Sequence, residues 1–211
     1  NLRVQLEAAD IPTVNQLFTN SLAPVLSGQA AKLDAGNQAI ALTANDVLTV
    51  QVHGLTYTYT VGGLQAPELT YNAVDQTWRL ALPVNAIPLD GTYEVAVSVL
   101  AVGYVAPKTD TSHNELVIDR TAPGLSIQVF AGDDVLNAQE ETLNQVVSGL
   151  TDLTEVGRTV TVTGFNGKSY QATVQADGSW QVSILAADLT GIAAGNIHAS
   201  LSDLFGNTAQ A

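Results

Sequence analysis

Apolar side chains in this chain fall at every second position, and that period limits the backbone to extended structure. Tyr93, Val95, Val97 and Val99 share one face, with Glu94, Ala96 and Ser98 on the other. Trp180, Val182 and Ile184 alternate with Gln181 and Ser183, and Tyr170, Ala172 and Val174 alternate with Gln171, Thr173 and Gln175. Thr159, Thr161 and Thr163 flank Val160 and Val162. Successive side chains of a strand point to opposite faces, so such runs build half-buried strands. Threonine and valine suit a pleated surface with one wet face. Asn166-Gly167, Asp177-Gly178, Asp90-Gly91 and, more loosely, His53-Gly54 supply residues that tolerate tight turns. Long helical periodicity is missing. Short strands at regular spacing predict an all-β sandwich.

The same markers then occur twice in the same order. Leu26-Ser27-Gly28 returns as Val147-Ser148-Gly149, and Gly54-Leu-Thr-Tyr57 as Gly167-Lys-Ser-Tyr170. Trp78-Arg-Leu-Ala-Leu82 returns as Trp180-Gln-Val-Ser-Ile184. A chain of 211 residues has room for two domains of about 100 residues. The expected organisation is a domain over 1–118 and a second over 119–211. A short stiff linker, Asp119-Arg-Thr-Ala-Pro123, joins two tandem immunoglobulin-like β-sandwiches. The first copy is longer between Tyr57 and Trp78, where Gly62-Gly63 and Pro67 mark an extended hairpin.

Composition narrows the chemistry. Only 13% of residues are charged, yet the net charge is −13. Ten acidic against four basic residues give −6 for 1–118, and ten against three give −7 for 119–211, so neither half is an acidic tail. Nucleic acid and anionic membrane surfaces are poor partners for such a chain. No apolar run is long enough to insert in a membrane. Cysteine is absent, which excludes thiol catalysis and disulfides. The start at Asn1 and the lack of a signal peptide suggest a monomeric fragment of something longer. No Gly-x-Ser-x-Gly elbow, phosphate loop or His–Glu metal spacing is present, and the reading is of a non-enzyme. Trp78 and Trp180 sit at equivalent inward strand positions and are expected in the cores.

Assembled, these residues resemble the bacterial immunoglobulin-like repeats of giant adhesins that are exported by type I systems and often end in RTX-type repeats. The matching pieces are Asp119-Arg-Thr-Ala-Pro123, Asp133-Asp-Val-Leu-Asn137 with Glu140, Gly164-Phe-Asn-Gly-Lys-Ser-Tyr170, Ala176-Asp-Gly-Ser-Trp180 and Asp203-Leu-Phe-Gly-Asn207. In the first copy, Pro12-Thr-Val-Asn15, Thr19-Asn20 and Leu89-Asp-Gly-Thr-Tyr93 look like a sister type. The resemblance implies tandem rods at the bacterial cell surface, neighbouring repeats of the same chain as partners, and Ca²⁺ at the domain joints. It implies a role in biofilm or host-cell adhesion toward a target the sequence does not name. The first copy departs from the pattern: Phe18-Thr-Asn-Ser21 stands in place of the Asp-Asp-x-x-Asn loop.

Alternating strands place the carboxylates in two groups. The expected first strand of the second copy, Leu125–Phe130, runs away from the joint. Asp119, Asp152, Glu155, Asp203 and Asn207 then fall at the joint, with Asp90 facing them from the first copy. Asp133, Asp134, Asn137, Glu140, Glu141 and Asp188 fall at the far end. Ca²⁺ takes about 6–8 oxygen ligands from carboxylates, carbonyls and water, which such loops supply. None follows the EF-hand pattern. Asp and Asn are also ordinary turn residues, the simpler account of Asp90 and Asp177. Alternatives are a carbohydrate- or protein-binding module using Tyr57, Tyr59 and Tyr71, and an accessory domain of a secreted hydrolase.

Overall fold

The computed structural model describes residues 12–211, so residues 1–11, where the first expected domain begins, lie outside the described residues. Contacts divide the chain into two compact units, Asn1–Asp119 and Arg120–Ala211.

The first unit runs β1 (Leu17–Thr19), β2 (Val25–Gln29), β3 (Lys32–Leu33), β4 (Ala39–Ile40), β5 (Val47–Val52), β6 (Leu55–Thr60), β7 (Leu69–Asn72), β8 (Thr77–Ala81), β9 (Gly91–Tyr93), β10 (Val95–Leu100), β11 (Lys108–Thr109) and β12 (Leu116–Ile118). One sheet has the order β11-β10-β5-β6, another β2-β8-β7, and a third β1-β12-β9. Alternation is realised as burial: Leu48, Val50 and Val52 of β5 and Val95, Val97 and Val99 of β10 all point into one core. The β1–β12 pair is parallel, with Leu17 opposite Leu116.

The second unit runs β13 (Leu125–Ile127), β14 (Gln145–Thr151), β15 (Thr159–Phe165), β16 (Lys168–Thr173), β17 (Ser179–Ile184), α1 (Ala186–Leu189), β18 (His198–Ser202) and β19 (Thr208–Gln210). Its sheets have the orders β13-β14-β17 and β16-β15-β18-β19. Val147, Val160, Val162, Ile184 and Leu201 are buried between them. Each unit is thus an all-β sandwich. β13 is shorter than the expected strand Leu125–Phe130. Gln128 N–H still reaches the Ser148 carbonyl at 2.8 Å, but Phe130 N–H turns to the Asp134 carboxylate at 2.8 Å. The acidic loop, by capping Phe130, ends the ladder early.

The repeated Ser-Gly and Trp markers have one physical cause. Gly28 lies directly opposite Trp78, and Gly149 opposite Trp180. A Cβ on Gly28 would lie 1.9 Å from the Thr13 carbonyl oxygen and 2.8 Å from the Trp78 indole. On Gly149 it would lie 1.9 Å from the Ser126 carbonyl oxygen and 2.3 Å from the Trp180 ring. Only glycine lets the indole and the first strand close over that point. Both tryptophans are fully buried. An indole burying roughly 200 Å² contributes on the order of 5 kcal/mol of transfer free energy. Trp78 Nε1–H donates to the Thr13 carbonyl at 3.0 Å, whereas Trp180 Nε1–H has no partner.

Candidate functional site

Asp152 and Glu155 bracket a 3-10 turn, Leu153–Glu155, after β14. Asp152 Oδ2 accepts a hydrogen bond from Gly124 N–H at 2.6 Å, and Thr151 Oγ1 donates to the Gly124 carbonyl at 2.6 Å. The residue after Pro123 is therefore held at both of its backbone polar groups. In the first unit, Asp119 N–H donates to the Thr19 carbonyl at 3.2 Å, extending the β1–β12 ladder by one bond. Only residues 120–123 separate these two anchors in the sequence.

Glu155 is 6% exposed. Its Oε1 accepts from Thr154 Oγ1 at 3.0 Å, while Oε2 is buried with no hydrogen-bond partner. An ionised carboxylate oxygen out of water and without a donor is costly, and a cation beside it offsets that cost. Glu155 Oε2 is thus a buried carboxylate oxygen without a donor at the turn that follows β14.

Asp203 and Asn207 close the β18–β19 hairpin. Asp203 Oδ1 accepts from Phe205 N–H and Asn207 N–H, each at 2.8 Å, and Oδ2 accepts from Asn207 Nδ2 at 2.8 Å. Gly206 takes φ +95°, which explains the glycine of Asp203-x-x-Gly-Asn207. Asp90 is exposed just before β9, where Tyr93 Oη donates to the Leu89 carbonyl at 2.8 Å.

The other acidic loop is similarly self-capped. Asp133 Oδ1 accepts from Val135 N–H at 3.0 Å, and Asp134 Oδ1 from Phe130 N–H at 2.8 Å. Asn137 Oδ1 accepts from Gln139 and Glu140 N–H, and Glu140 Oε2 returns a bond to Asn137 N–H at 2.9 Å. That reciprocal pattern is a capping box over the 3-10 turn Glu140–Thr142. Asp188, in α1, is bound by Lys168 Nζ and Tyr170 Oη of β16. The Lys168 ammonium, then the Tyr170 hydroxyl, hold the Asp188 carboxyl below its usual range. Burial and the Asp188 charge push the Tyr170 phenol up to about 12. Asp188 thus has its own cation within the protein. Among the described residues, no group of three or more His, Cys, Asp or Glu side chains is arranged to hold a metal ion.

Two buried charges, Asp46 and Glu115, escape a reading based on loops. Asp46 is fully buried before β5 and accepts from Thr43 N–H, Thr43 Oγ1 and Val102 N–H, with Lys32 Nζ at 2.7 Å. Burial pushes its pKa up, but Lys32 and the two amides outweigh it and the net shift is downward. The available signal is Thr43-x-x-Asp46, a side-chain-capped turn leading into an apolar strand. Tyr57, Tyr59 and Tyr71 pack against the first core, and Tyr71 Oη accepts from Leu42 N–H at 3.0 Å. All three rings are half-buried, and Tyr59 and Tyr71 lie with ring centroids 6.1 Å apart.

No family model matches the chain, and no curated protein matches it. Among solved structures it is similar to a Ca²⁺-stabilized adhesin that helps an Antarctic bacterium reach out and bind ice, at 25% identity and TM-score 0.48, over 94% of this chain and 44% of that one. It is similar to part of a 1.5-MDa bacterial ice-binding adhesin at 24% identity and TM-score 0.44, over 94% of this chain and 61% of that one. A bacterial immunoglobulin-like domain from the M. primoryensis ice-binding adhesin aligns at 35% identity and TM-score 0.35, over 43% of this chain and 89% of that one. The chain spans less than two thirds of the length of the first two.

Proposed function

We propose that the chain is a structural, non-enzymatic extender segment of a large secreted bacterial surface adhesin, whose joint between units is stiffened by Ca²⁺. The observation that carries this reading is the pair of anchors around the linker. Asp119 is tied into the first unit and Gly124 into the second, so the segment between the anchors is only residues 120–123, ending in Pro123. Proline fixes its own φ and restricts the residue before it, so such a linker is a poor hinge. A repeat that transmits extension needs this more than it needs a cleft.

Calcium enters through Glu155. Its buried, unpartnered Oε2 is the kind of hard oxygen donor that Ca²⁺ takes, with Asp152 three residues earlier at the other end of the same 3-10 turn. In this reading Asp119, Asp90 and the Asp203–Asn207 loop contribute to the joint, with carbonyls and water completing the shell. The Asp133, Asp134, Asn137 and Glu140 loop would serve a neighbouring repeat. A cation that binds the folded, aligned state stabilises it by about 2.7 kcal/mol at a hundred times its Kd. An extended rod would then form in calcium-rich surroundings and slacken where calcium is scarce.

Thermal melting and small-angle scattering with Ca²⁺ and with chelator test this. Melting temperature and maximum dimension should both rise with Ca²⁺. If neither changes, the calcium joint is wrong.

A further inference from the structure

The second unit leaves open a sheet edge that the first unit covers. With Trp78 and Trp180 as the fixed point, β8 corresponds to β17. β8 lies between β2 and β7, whereas β17 is paired only with β14. Arg79 stands opposite Thr70 of β7, and Ala81 N–H bonds the Glu68 carbonyl at 2.9 Å. The counterparts of Arg79 and Ala81 are Gln181 and Ser183. Thr151 N–H bonds the Gly178 carbonyl at 2.9 Å, which fixes the alternation along the β14–β17 ladder. Trp180, Val182 and Ile184 therefore turn their backbone groups to β14, and Gln181 and Ser183 turn theirs outward. Among the described residues, no hydrogen bond reaches the N–H or C=O of Gln181 or Ser183. Burial agrees. Leu80, opposite Leu69, is fully buried, while Val182 at the same place is only half-buried.

We propose that this edge joins two copies of the chain, with β17 pairing antiparallel to β17 of a second copy. Edge strands normally block such pairing with charge, proline or a bulge. β17 reads Ser-Trp-Gln-Val-Ser-Ile and has none of these. The other six-residue edge strands, β6 and β16, are protected. β16 begins at Lys168 and is bulged against β15. Over β6, Ala66 N–H bonds the Thr58 carbonyl and Thr60 N–H bonds that of Leu64.

The edge is self-complementary, and this selects the occupant. One register satisfies every outward group. In it Gln181 exchanges backbone bonds with the partner's Ser183, and Ser183 with the partner's Gln181. Val182 then meets the partner's Val182 on the two-fold axis, which covers its exposed half. No carboxylate lies in β17, so two chains of net charge −13 repel only at longer range, and salt screens that repulsion. One strand pair is a small interface, so association is weak, with Kd on the order of 0.1 mM. The inference goes beyond the extender reading and does not depend on calcium.

Analytical ultracentrifugation of the 211-residue chain in chelator should show a monomer–dimer equilibrium that moves toward dimer as salt is raised. Gln181→Lys with Ser183→Lys sets like charges opposite each other across the axis. It should weaken association by about tenfold or more, although it lowers the net negative charge. Both side chains are exposed, so hydrogen exchange at residues 145–150 should stay slow and report an intact sheet. Val182→Cys should form an intermolecular disulfide rapidly, because the pair on the axis is the close, non-hydrogen-bonded kind. Thr173→Cys, exposed on β16, should not. A chain that stays monomeric at millimolar concentration would overturn the proposal. So would a dimer undiminished in the Gln181→Lys, Ser183→Lys chain, which would place the contact on another surface, or equal crosslinking rates at positions 173 and 182.

Discussion

The two units share their centre and differ at their edge. Each packs a buried tryptophan across a glycine that no other residue can replace. Yet the first seals one edge with a parallel β1–β12 pair, while in the second the corresponding backbone bends into the Asp133–Glu140 loop. Core pairing across neighbouring strands is therefore specified locally, by a side chain and the space it needs. Edge closure depends on residues about 100 positions apart meeting in register, as Leu17 meets Leu116.

The sharpest way to break this comparison is to remove its shared part. Trp78→Ala and Trp180→Ala should each cost about 3–5 kcal/mol in denaturant unfolding, followed unit by unit by hydrogen exchange. A loss below about 1 kcal/mol in either unit would mean that the tryptophan is not the common keystone. Next comes the edge. Leu116→Ala should cost the first unit about 2–5 kcal/mol and leave the second within about 0.5 kcal/mol.

Acid should affect both units through different pairs. Asp46 and Asp188 have carboxyl pKa values held below the usual range. Their contribution is full above the unfolded value of about 3.9 and is lost as pH falls through the folded value. Melting temperature should therefore drop below about pH 4. Asp46→Asn should flatten that drop in the first unit, and Asp188→Asn in the second. Smaller again, Glu155→Gln should leave melting in chelator almost unchanged but remove any rise produced by Ca²⁺. A rise that persists would place the ion elsewhere. Asp177→Ala, which removes a carboxylate that accepts from Ser179 N–H and Oγ in an exposed turn, should shift melting least of all.

Much of the fold is legible because a strand's side-chain period is short and local. The alternation at Val95, Val97 and Val99 becomes burial at the same three residues, and the repeated glycine and tryptophan markers meet across the sheet. The candidate sites are less legible, since strand counting assigns loops to ends but says nothing of where a side chain turns. Asp188 illustrates this: counting groups it with Asp133, whereas Lys168 and Tyr170 hold it. Asn137-x-x-Glu140 could be read as a capping box from its spacing alone. Burial of Asp46 and Glu155 has no such local signature, because it is created by distant strands packing over them.

The most direct test of the extender reading uses the absence of native cysteine. Val74→Cys and Leu185→Cys place one spin label on an exposed position of each unit. Electron-electron distance measurement should give a broad distribution in chelator and a narrow one in Ca²⁺, with Glu155→Gln keeping it broad. Distributions of equal width in Ca²⁺ and chelator would contradict a calcium-stiffened joint.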